Sequence, residues 1–170
     1  IATVALHRVN DPSRYGAVDI DANRITRFVE KPPRGKAPSN LINAGVYALS
    51  PEIYDYIQSG RRVSIEREVF PALAQDGKLF GYRFKGQWID IGEPPDFMKS
   101  NIMLLNSEFP NGHYAKSAKI HEEAQIINPV AVGEHTKIKG RSRIGPHVSL
   151  SDNVDIGEGV HIKNSVVFPG

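Results

Sequence analysis

The sequence predicts a chain with two architectures: an α/β segment over residues 1–110 and a stack of short parallel strands over residues 111–170. Two observations predict this division. Before residue 110, strand-like and helix-like runs alternate, and each is bounded by proline, glycine or polar turn residues. After it, a large apolar residue recurs at every sixth position, which matches neither a helix nor a simple strand. An internal repeat of this kind determines architecture before any local pattern does.

Strands dominate the beginning of the α/β segment. Four are expected, at residues 1–9, 15–20, 24–30 and 41–49. The second and third form a predicted hairpin around residues 21–23, because Asp and Asn favour tight turns. Residues 31–39 are basic and rich in proline, which predicts a loop between the hairpin and the fourth strand.

Two helices are expected next. Ser50 is a suitable N-cap for a helix over residues 51–59, which begins with proline. Ser64 is a second candidate cap, for a helix over residues 64–75 that Pro71 should kink or split.

The α/β segment ends with two strands and a helix. Strands are expected at residues 78–84 and 88–91, followed by a helix over residues 93–107. Three apolar residues of that helix are candidate core residues: Phe97, Ile102 and Leu105.

The six-residue repeat predicts triangular coils, each made of three short strands and three corners. A large residue would fill the interior and a small one would fit each corner, and the segment has room for about three turns. The large positions are Tyr114, Ile120, Ile126, Val132, Ile138, Ile144, Leu150, Ile156, Ile162 and Phe168. The corners are expected to need unusual φ angles at Gly133, Gly145, Gly157, Gly159, Asn153 and Asn164.

Composition excludes several classes of function. The 21 basic and 19 acidic residues leave a net charge of +2, which argues against nucleic acid or an anionic membrane as partner. The chain has no cysteine, so it has no disulfide and no thiolate metal site. We expect a cytoplasmic protein without a membrane segment, because no apolar run approaches the length that spans a bilayer.

The repeat resembles the hexapeptide-repeat family of left-handed parallel β-helices. The left-handed sense comes from that resemblance, since β crossovers in general favour the right hand. The flat faces and open ends of such a coil suit subunit contacts, and we expect a homo-oligomer assembled through it.

Four segments resemble the second half of sugar-1-phosphate nucleotidyltransferases. They read YGAV at residues 15–18, FVEKP at 28–32, NAGVY at 43–47 and WIDIG at 88–92. Residues 64–71, SIEREVFP, are most similar to mannose-1-phosphate guanylyltransferases. The resemblance implies that residues 1–110 are the C-terminal half of a catalytic domain with a mixed sheet, and that residues 111–170 form the β-helix.

The resemblance implies a reaction between a sugar 1-phosphate and a nucleoside triphosphate, which yields a nucleotide sugar and pyrophosphate. The expected reaction joins mannose 1-phosphate to GTP. Lys31 would be catalytic and would hold the phosphate of the sugar, since its ammonium is a compact charge. Asp90 would be catalytic as a ligand of Mg²⁺, which prefers one or two carboxylates plus phosphate oxygens.

The remaining residues implied by the resemblance would bind the sugar. Glu30 would accept hydrogen bonds from hydroxyls, and Gly16 would let the backbone approach the ring. Asn43 would contact the sugar, while Ala44 and Gly45 keep that wall thin.

The family's glycine-rich nucleotide loop has no match in this sequence. We therefore expect the chain alone to be inactive and the full-length protein to be the enzyme. The matched motifs are shared by thymidylyl-, uridylyl- and adenylyltransferases that use glucose 1-phosphate, so nucleotide and sugar stay open. A catalytically silent regulatory subunit is a further alternative.

An acyltransferase is the remaining alternative, because hexapeptide β-helices also carry that activity with a histidine as general base. Five histidines lie in or beside the coils: His113, His121, His135, His147 and His161. Two of them, His135 and His147, occupy the same position of the repeat.

Overall fold

The structure is a computed structural model that describes residues 1–169. These residues form two compact units, which divide between Trp88 and Ile89. The predicted boundary at residue 110 is a domain boundary of the whole protein, which this division into compact units does not test. It stays a prediction.

The first unit is a five-stranded mixed sheet that closes on itself. Its strands are β1 (Ala2–Arg8), β2 (Gly16–Asp21), β3 (Arg24–Glu30), β4 (Leu41–Leu49) and β5 (Leu79–Arg83). The order is β1-β4-β2-β3-β5, and β5 closes the sheet by pairing with β1 in parallel and with β3 in antiparallel orientation. All five of these strands were predicted and are confirmed, and so is the predicted hairpin between β2 and β3.

The core of this unit follows from strand alternation. Every second residue of β1 is buried, so that Ala2, Val4 and Leu6 face the interior. Phe70 and Leu73, from the helical segment before β5, are fully buried in the same cluster. Burying one such side chain contributes roughly 1.5–3 kcal/mol.

The two predicted helices of this unit are shorter and more irregular than expected. Pro51–Tyr56 is a 3₁₀ helix, and Ser50 makes no side-chain cap, so the predicted cap is wrong. Ser64 does cap the next segment, because its Oγ accepts a hydrogen bond from the Arg67 backbone N–H at 3.2 Å. That segment is a π-helix over Ile65–Val69, followed by α1 (Phe70–Gln75). The change of helix type falls beside Pro71, as the missing N–H of proline predicts.

The last elements of the α/β segment are confirmed in part. The predicted strand at residues 88–91 is wrong, since these residues have no regular secondary structure and join no sheet. The helix α2 (Pro94–Glu108) is confirmed. Of its three candidate core residues, Leu105 is buried at 2% exposure, Ile102 is half-buried and Phe97 is exposed at 36%.

The second unit carries a solenoid of ten short strands. They are β6 (His113–Tyr114), β7 (Lys119–Ile120), β8 (Gln125–Ile126), β9 (Val130–Val132), β10 (Lys137–Ile138), β11 (Arg143–Ile144), β12 (Val148–Leu150), β13 (Asp155–Ile156), β14 (His161–Ile162) and β15 (Ser165–Val167). They stack as three parallel sheets of order β13-β10-β7, β14-β11-β8 and β15-β12-β9-β6. The repeat therefore builds a parallel-strand solenoid, consistent with the predicted β-helix.

The interior of the solenoid is filled by the large residues of the repeat. Val132, Ile138, Ile144, Leu150 and Ile156 are buried, whereas Tyr114 and Ile120 of the first coil are exposed. The first coil is stacked on one side only among the described residues, which accounts for its exposure.

Residues at the corners of the solenoid adopt positive φ, and several of them are not glycine. The expectation is confirmed at Gly145, Gly159, Asn153 and Asn164 and is wrong at Gly133 and Gly157. Other residues take positive φ at the regular corner position, namely His135, Arg141 and His147. The shared repeat position of the two histidines therefore has a structural explanation, and the His147 ring lies 3.1 Å from Asn106 Oδ1 and 3.3 Å from Asn164 Oδ1.

The predicted interior position of Phe168 is wrong. Val167, not Phe168, pairs with Leu150, because the last step between stacked strands runs from Val148 to Ser165 and is one residue shorter than the others. Phe168 is 65% exposed, and its ring stacks on Phe97 of α2 at 5.9 Å. No helix among residues 1–169 is long and apolar enough to cross a membrane.

Candidate active site

The predicted sugar-contacting residues lie on neighbouring strands of the first unit. Gly16, at the start of β2, is the cross-strand partner of Glu30, at the end of β3. Ala17 pairs with Ile42, which places Asn43 of β4 on the adjoining strand. The fold therefore brings Gly16, Glu30 and Asn43 together, as the resemblance implies.

Glu30 is a half-buried carboxylate whose Oε2 is buried without a hydrogen-bond partner among the described residues. Burial raises the pKa of Glu30, and the negative charge of Glu66 raises it further against the opposing effect of Lys31. A buried acceptor without a partner is costly unless a donor arrives from outside the chain. This atom is the clearest sign of a ligand site in the first unit.

Gly16 leaves room for the side chains of Phe28 and Glu30 on the neighbouring strand. A Cβ at this position would lie 2.5 Å from Phe28 Cζ and 2.9 Å from Glu30 Oε2. Its φ is not positive, so glycine is needed here for space rather than for backbone conformation.

Asn43 is held by a polar cluster. It is 7% exposed, and its Nδ2 donates to the Tyr47 hydroxyl at 2.8 Å and to Glu66 Oε1 at 3.2 Å. Its Oδ1 accepts a hydrogen bond from the Gly45 backbone N–H at 2.9 Å. Tyr47 in turn lies 3.4 Å from the same Glu66 oxygen, and burial raises the pKa of its hydroxyl. The side chain of Asn43 is therefore fixed before any ligand binds.

Glu66 also belongs to this cluster, although the sequence analysis gave it no role in the site. It lies on the π-helix, and its carboxylate contacts Asn43 and Tyr47 of β4. The available signal was the SIEREVFP stretch itself, because the resemblance to one branch of the family is carried by residues around Glu66.

The backbone next to Asn43 is bare at Gly45. Gly45 is exposed and has φ +80°, and nothing lies within 4 Å of the position that a Cβ would occupy, so β4 presents bare backbone there. Ala44 is buried, and its carbonyl accepts a hydrogen bond from Trp88 Nε1 at 3.1 Å. The Trp88 ring also packs edge-on against Tyr15 at 5.4 Å. Trp88 therefore supports β4 at this point.

Lys31 follows Glu30 directly and is exposed. Its φ is +47°, which a non-glycine residue adopts only when its surroundings impose it. The Lys31 backbone N–H donates to the Tyr15 carbonyl at 3.0 Å, which holds the chain at this turn. The positive charge of Lys31 acts on Glu30, because it opposes the rise in the pKa of that carboxyl.

Asp90 lies in the second unit, on the segment before α2, and its side chain is exposed. Its carboxylate approaches the Gly92 position, where a Cβ would stand 3.5 Å from Oδ2. Among residues 1–169, no group of three or more acidic or histidine side chains is placed to hold a metal ion. A single exposed carboxylate fits one Mg²⁺ ligand that is completed by substrate phosphates, and not a complete protein site.

Replacing Asn43 with leucine is expected to destabilise the first unit by about 1–3 kcal/mol, because the half-buried Tyr47 and Glu66 would lose the amide that bonds to them. Chemical denaturation measures the change. Asn40→Leu is the matched control, since Asn40 is exposed, and it should change the free energy of unfolding by less than about 0.5 kcal/mol. Equal effects of the two substitutions would contradict a fixed Asn43 cluster.

The raised pKa of Glu30 predicts a pH-dependent stability. Folded Glu30 keeps its proton to higher pH than unfolded Glu30, so the folded state binds more protons in that window. Its contribution is fully present below the ordinary pKa of 4.5 and is lost as pH rises through the folded pKa. The free energy of unfolding of the natural protein minus that of Glu30→Gln should therefore fall as pH rises from 4.5. Denaturation curves at several pH values measure this difference. An increase of the difference with pH would refute a raised pKa of Glu30.

Comparison with known proteins identifies the family of this chain. The family model described as nucleotidyl transferase matches residues 1–107. A putative mannose-1-phosphate guanyltransferase of Sulfolobus acidocaldarius is 36% identical over 168 residues, which are 98% of this chain and 40% of that protein. The mannose-1-phosphate guanylyltransferase catalytic subunit beta of Xenopus tropicalis is 46% identical over 107 residues, 62% of this chain and 29% of that protein.

A solved structure shows the same fold. It is a putative glucose-1-phosphate thymidylyltransferase from Bacillus anthracis in complex with sucrose, with a TM-score of 0.53 and 24% identity over 60% of this chain and 42% of that one. The chain spans less than half the length of the curated relatives it matches. Because the family model matches residues 1–107, the chain belongs to the nucleotidyl transferase family.

Proposed function

We propose that the full-length protein joins a sugar 1-phosphate to a nucleoside triphosphate, with mannose 1-phosphate and GTP as substrates. The observation that carries the proposal is the Oε2 of Glu30, which is buried beside Gly16 without a hydrogen-bond partner among the described residues and belongs to the residue directly before the exposed Lys31. The names of the relatives from Sulfolobus acidocaldarius and Xenopus tropicalis support the choice of mannose 1-phosphate and GTP.

The proposed chemistry relies on positioning and charge neutralisation. An oxygen of the sugar phosphate attacks the α-phosphorus of the nucleotide, a new P–O bond forms, and the bond to the pyrophosphate leaving group breaks. Lys31 neutralises the sugar phosphate and orients it. Glu30 accepts a hydrogen bond from a sugar hydroxyl, and the fixed Asn43 contacts the sugar beside it. The bare backbone at Gly45 lets the sugar ring come close.

Mg²⁺ would neutralise charge on the phosphates. We propose Asp90 as its ligand from this chain, because it is an exposed carboxylate of the hard-oxygen type that magnesium prefers. Replacing Asp90 with asparagine would then raise the Mg²⁺ concentration that gives half-maximal activity.

Pyrophosphate release by the full-length protein with Mg²⁺ tests the proposal. Four nucleoside triphosphates are each combined with mannose 1-phosphate and with glucose 1-phosphate, and the 170-residue chain is assayed in parallel. We expect activity in the full-length protein alone, highest with GTP and mannose 1-phosphate. Absence of activity with every pair of nucleotide and sugar phosphate would refute the proposed enzymatic activity. It would favour a catalytically silent regulatory subunit.

We further propose assembly through the solenoid, whose outer faces are flat parallel sheets. Light scattering of the full-length protein should show a dimer or a larger closed oligomer. A monomer would contradict this part of the proposal.

A further inference from the structure

One face of the solenoid carries a groove of about 380 Å³. It lies on the sheet formed by β8, β11 and β14, and all of its lining residues belong to the second unit. None of the residues of the candidate active site takes part in it. Its lining includes Ile127, Arg143, Gly145, His161, Ile162 and Lys163.

Strand register brings the basic side chains of the groove together. Arg143 of β11 is the direct partner of His161 on β14, so both project from the same face. Neighbouring strands lie about 4.8 Å apart, which places the two side chains within reach of one ligand group. Lys163 follows two residues after His161 and lines the same groove.

One position of the stack beside the groove has no side chain. Ile127, Gly145 and Lys163 occupy equivalent places in three successive coils, and Gly145 is the middle one. A Cβ on Gly145 would lie 1.9 Å from the Ile127 carbonyl oxygen, so only glycine fits at this position. The lining of the groove combines the basic side chains of Arg143, His161 and Lys163 with the apolar side chains of Ile127 and Ile162.

The positive charge of this groove is not neutralised by the part of the chain that the structure describes. Arg143, His161 and Lys163 are exposed, and none of their side chains forms an ion pair or hydrogen bond with another residue among positions 1–169. Within that same range, no acidic residue lines the groove. Two other basic residues of the solenoid have acidic partners: Lys139 lies 3.8 Å from Asp155, and Arg141 pairs with Glu158. The grouping of three such charges around one groove, with no acidic residue in its lining, favours an external anion.

We propose that this groove binds a phosphorylated small molecule. The phosphoryl group would sit between Arg143 and Lys163, because the planar guanidinium offers paired donors and the ammonium a point charge. His161 would add a third donor from the neighbouring strand. The apolar part of the ligand would lie against Ile127 and Ile162, and the volume is that of an ordinary small-molecule site.

Calorimetric titration of the full-length protein with phenyl phosphate tests this site, with inorganic phosphate as the second probe. The Arg143→Gln/Lys163→Gln double variant should weaken phenyl phosphate binding by about tenfold or more. The matched control is Lys119→Gln/Lys137→Gln, which removes the same charge from exposed positions on the neighbouring sheet and should leave binding within about twofold. Inorganic phosphate should bind more weakly than phenyl phosphate, because it cannot use the apolar wall.

A third variant separates this groove from the candidate active site. Lys31→Gln should retain the binding event that the Arg143→Gln/Lys163→Gln variant loses. The inference is overturned if Lys31→Gln alone abolishes binding, if both double variants weaken it equally, or if the natural protein binds neither probe. Circular dichroism spectra that match the natural protein ensure that each variant is folded.

Discussion

Replacing Gly145 with alanine should lower the free energy of unfolding of the solenoid by about 3–5 kcal/mol. Two costs combine. The φ of Gly145 is +108°, a conformation that side chains with a Cβ rarely adopt, and the new Cβ would stand 1.9 Å from the Ile127 carbonyl oxygen. That carbonyl belongs to the preceding coil, so the clash can be relieved only by separating the coils.

Gly159→Ala separates the two costs. Gly159 also has positive φ, at +70°, but nothing lies within 4 Å of the position that its Cβ would occupy. Gly159→Ala should therefore show only the cost of the backbone conformation, a loss of about 1–2 kcal/mol in the free energy of unfolding. Chemical denaturation of both variants measures the difference. Equal losses would show that the coils are not packed as tightly at Gly145 as the structure places them.

The architecture of the solenoid could be predicted because one large residue per six leaves few alternatives. Every large position from Tyr114 to Ile162 ends a strand of the structure. The prediction failed at Phe168 because a step shortened by one residue leaves no mark in the spacing of apolar residues; Val167 and Phe168 both suit an interior position. The prediction of which corner residues take positive φ was partly wrong for a related reason. His135, Arg141 and His147 adopt positive φ where glycine would be the expected residue.

The candidate site could be predicted only in part. The resemblance gave Gly16, Glu30 and Asn43, and the sheet brings them together. Glu66 was missed because its role depends on contacts with β4, which is distant in sequence. A glutamate near a helix start has a sufficient local explanation in the helix dipole, so the sequence alone gives no reason to look further.

Lys31→Gln is expected to lower kcat/KM of the full-length protein by about 100-fold for the sugar 1-phosphate, because it removes a charge that the proposed transition state needs. Glutamine can still donate a hydrogen bond, so the substitution tests the charge itself. Lys31→Arg keeps the charge and should retain more activity, although its flat guanidinium fits a single phosphate oxygen less well. Steady-state pyrophosphate release measures all three proteins.

Lys36→Gln is the control that isolates the position of this charge. Lys36 is an exposed lysine of the same loop, so the substitution makes the same change in net charge. Its loss should stay within about twofold, because exposed charges separated from the phosphate by water are largely screened. If Lys36→Gln and Lys31→Gln reduced kcat/KM equally, the loop would act through its general positive field. Since Lys31 is held at φ +47° directly after the half-buried Glu30, whereas Lys36 lies beyond that turn, the structure supports the specific role of Lys31.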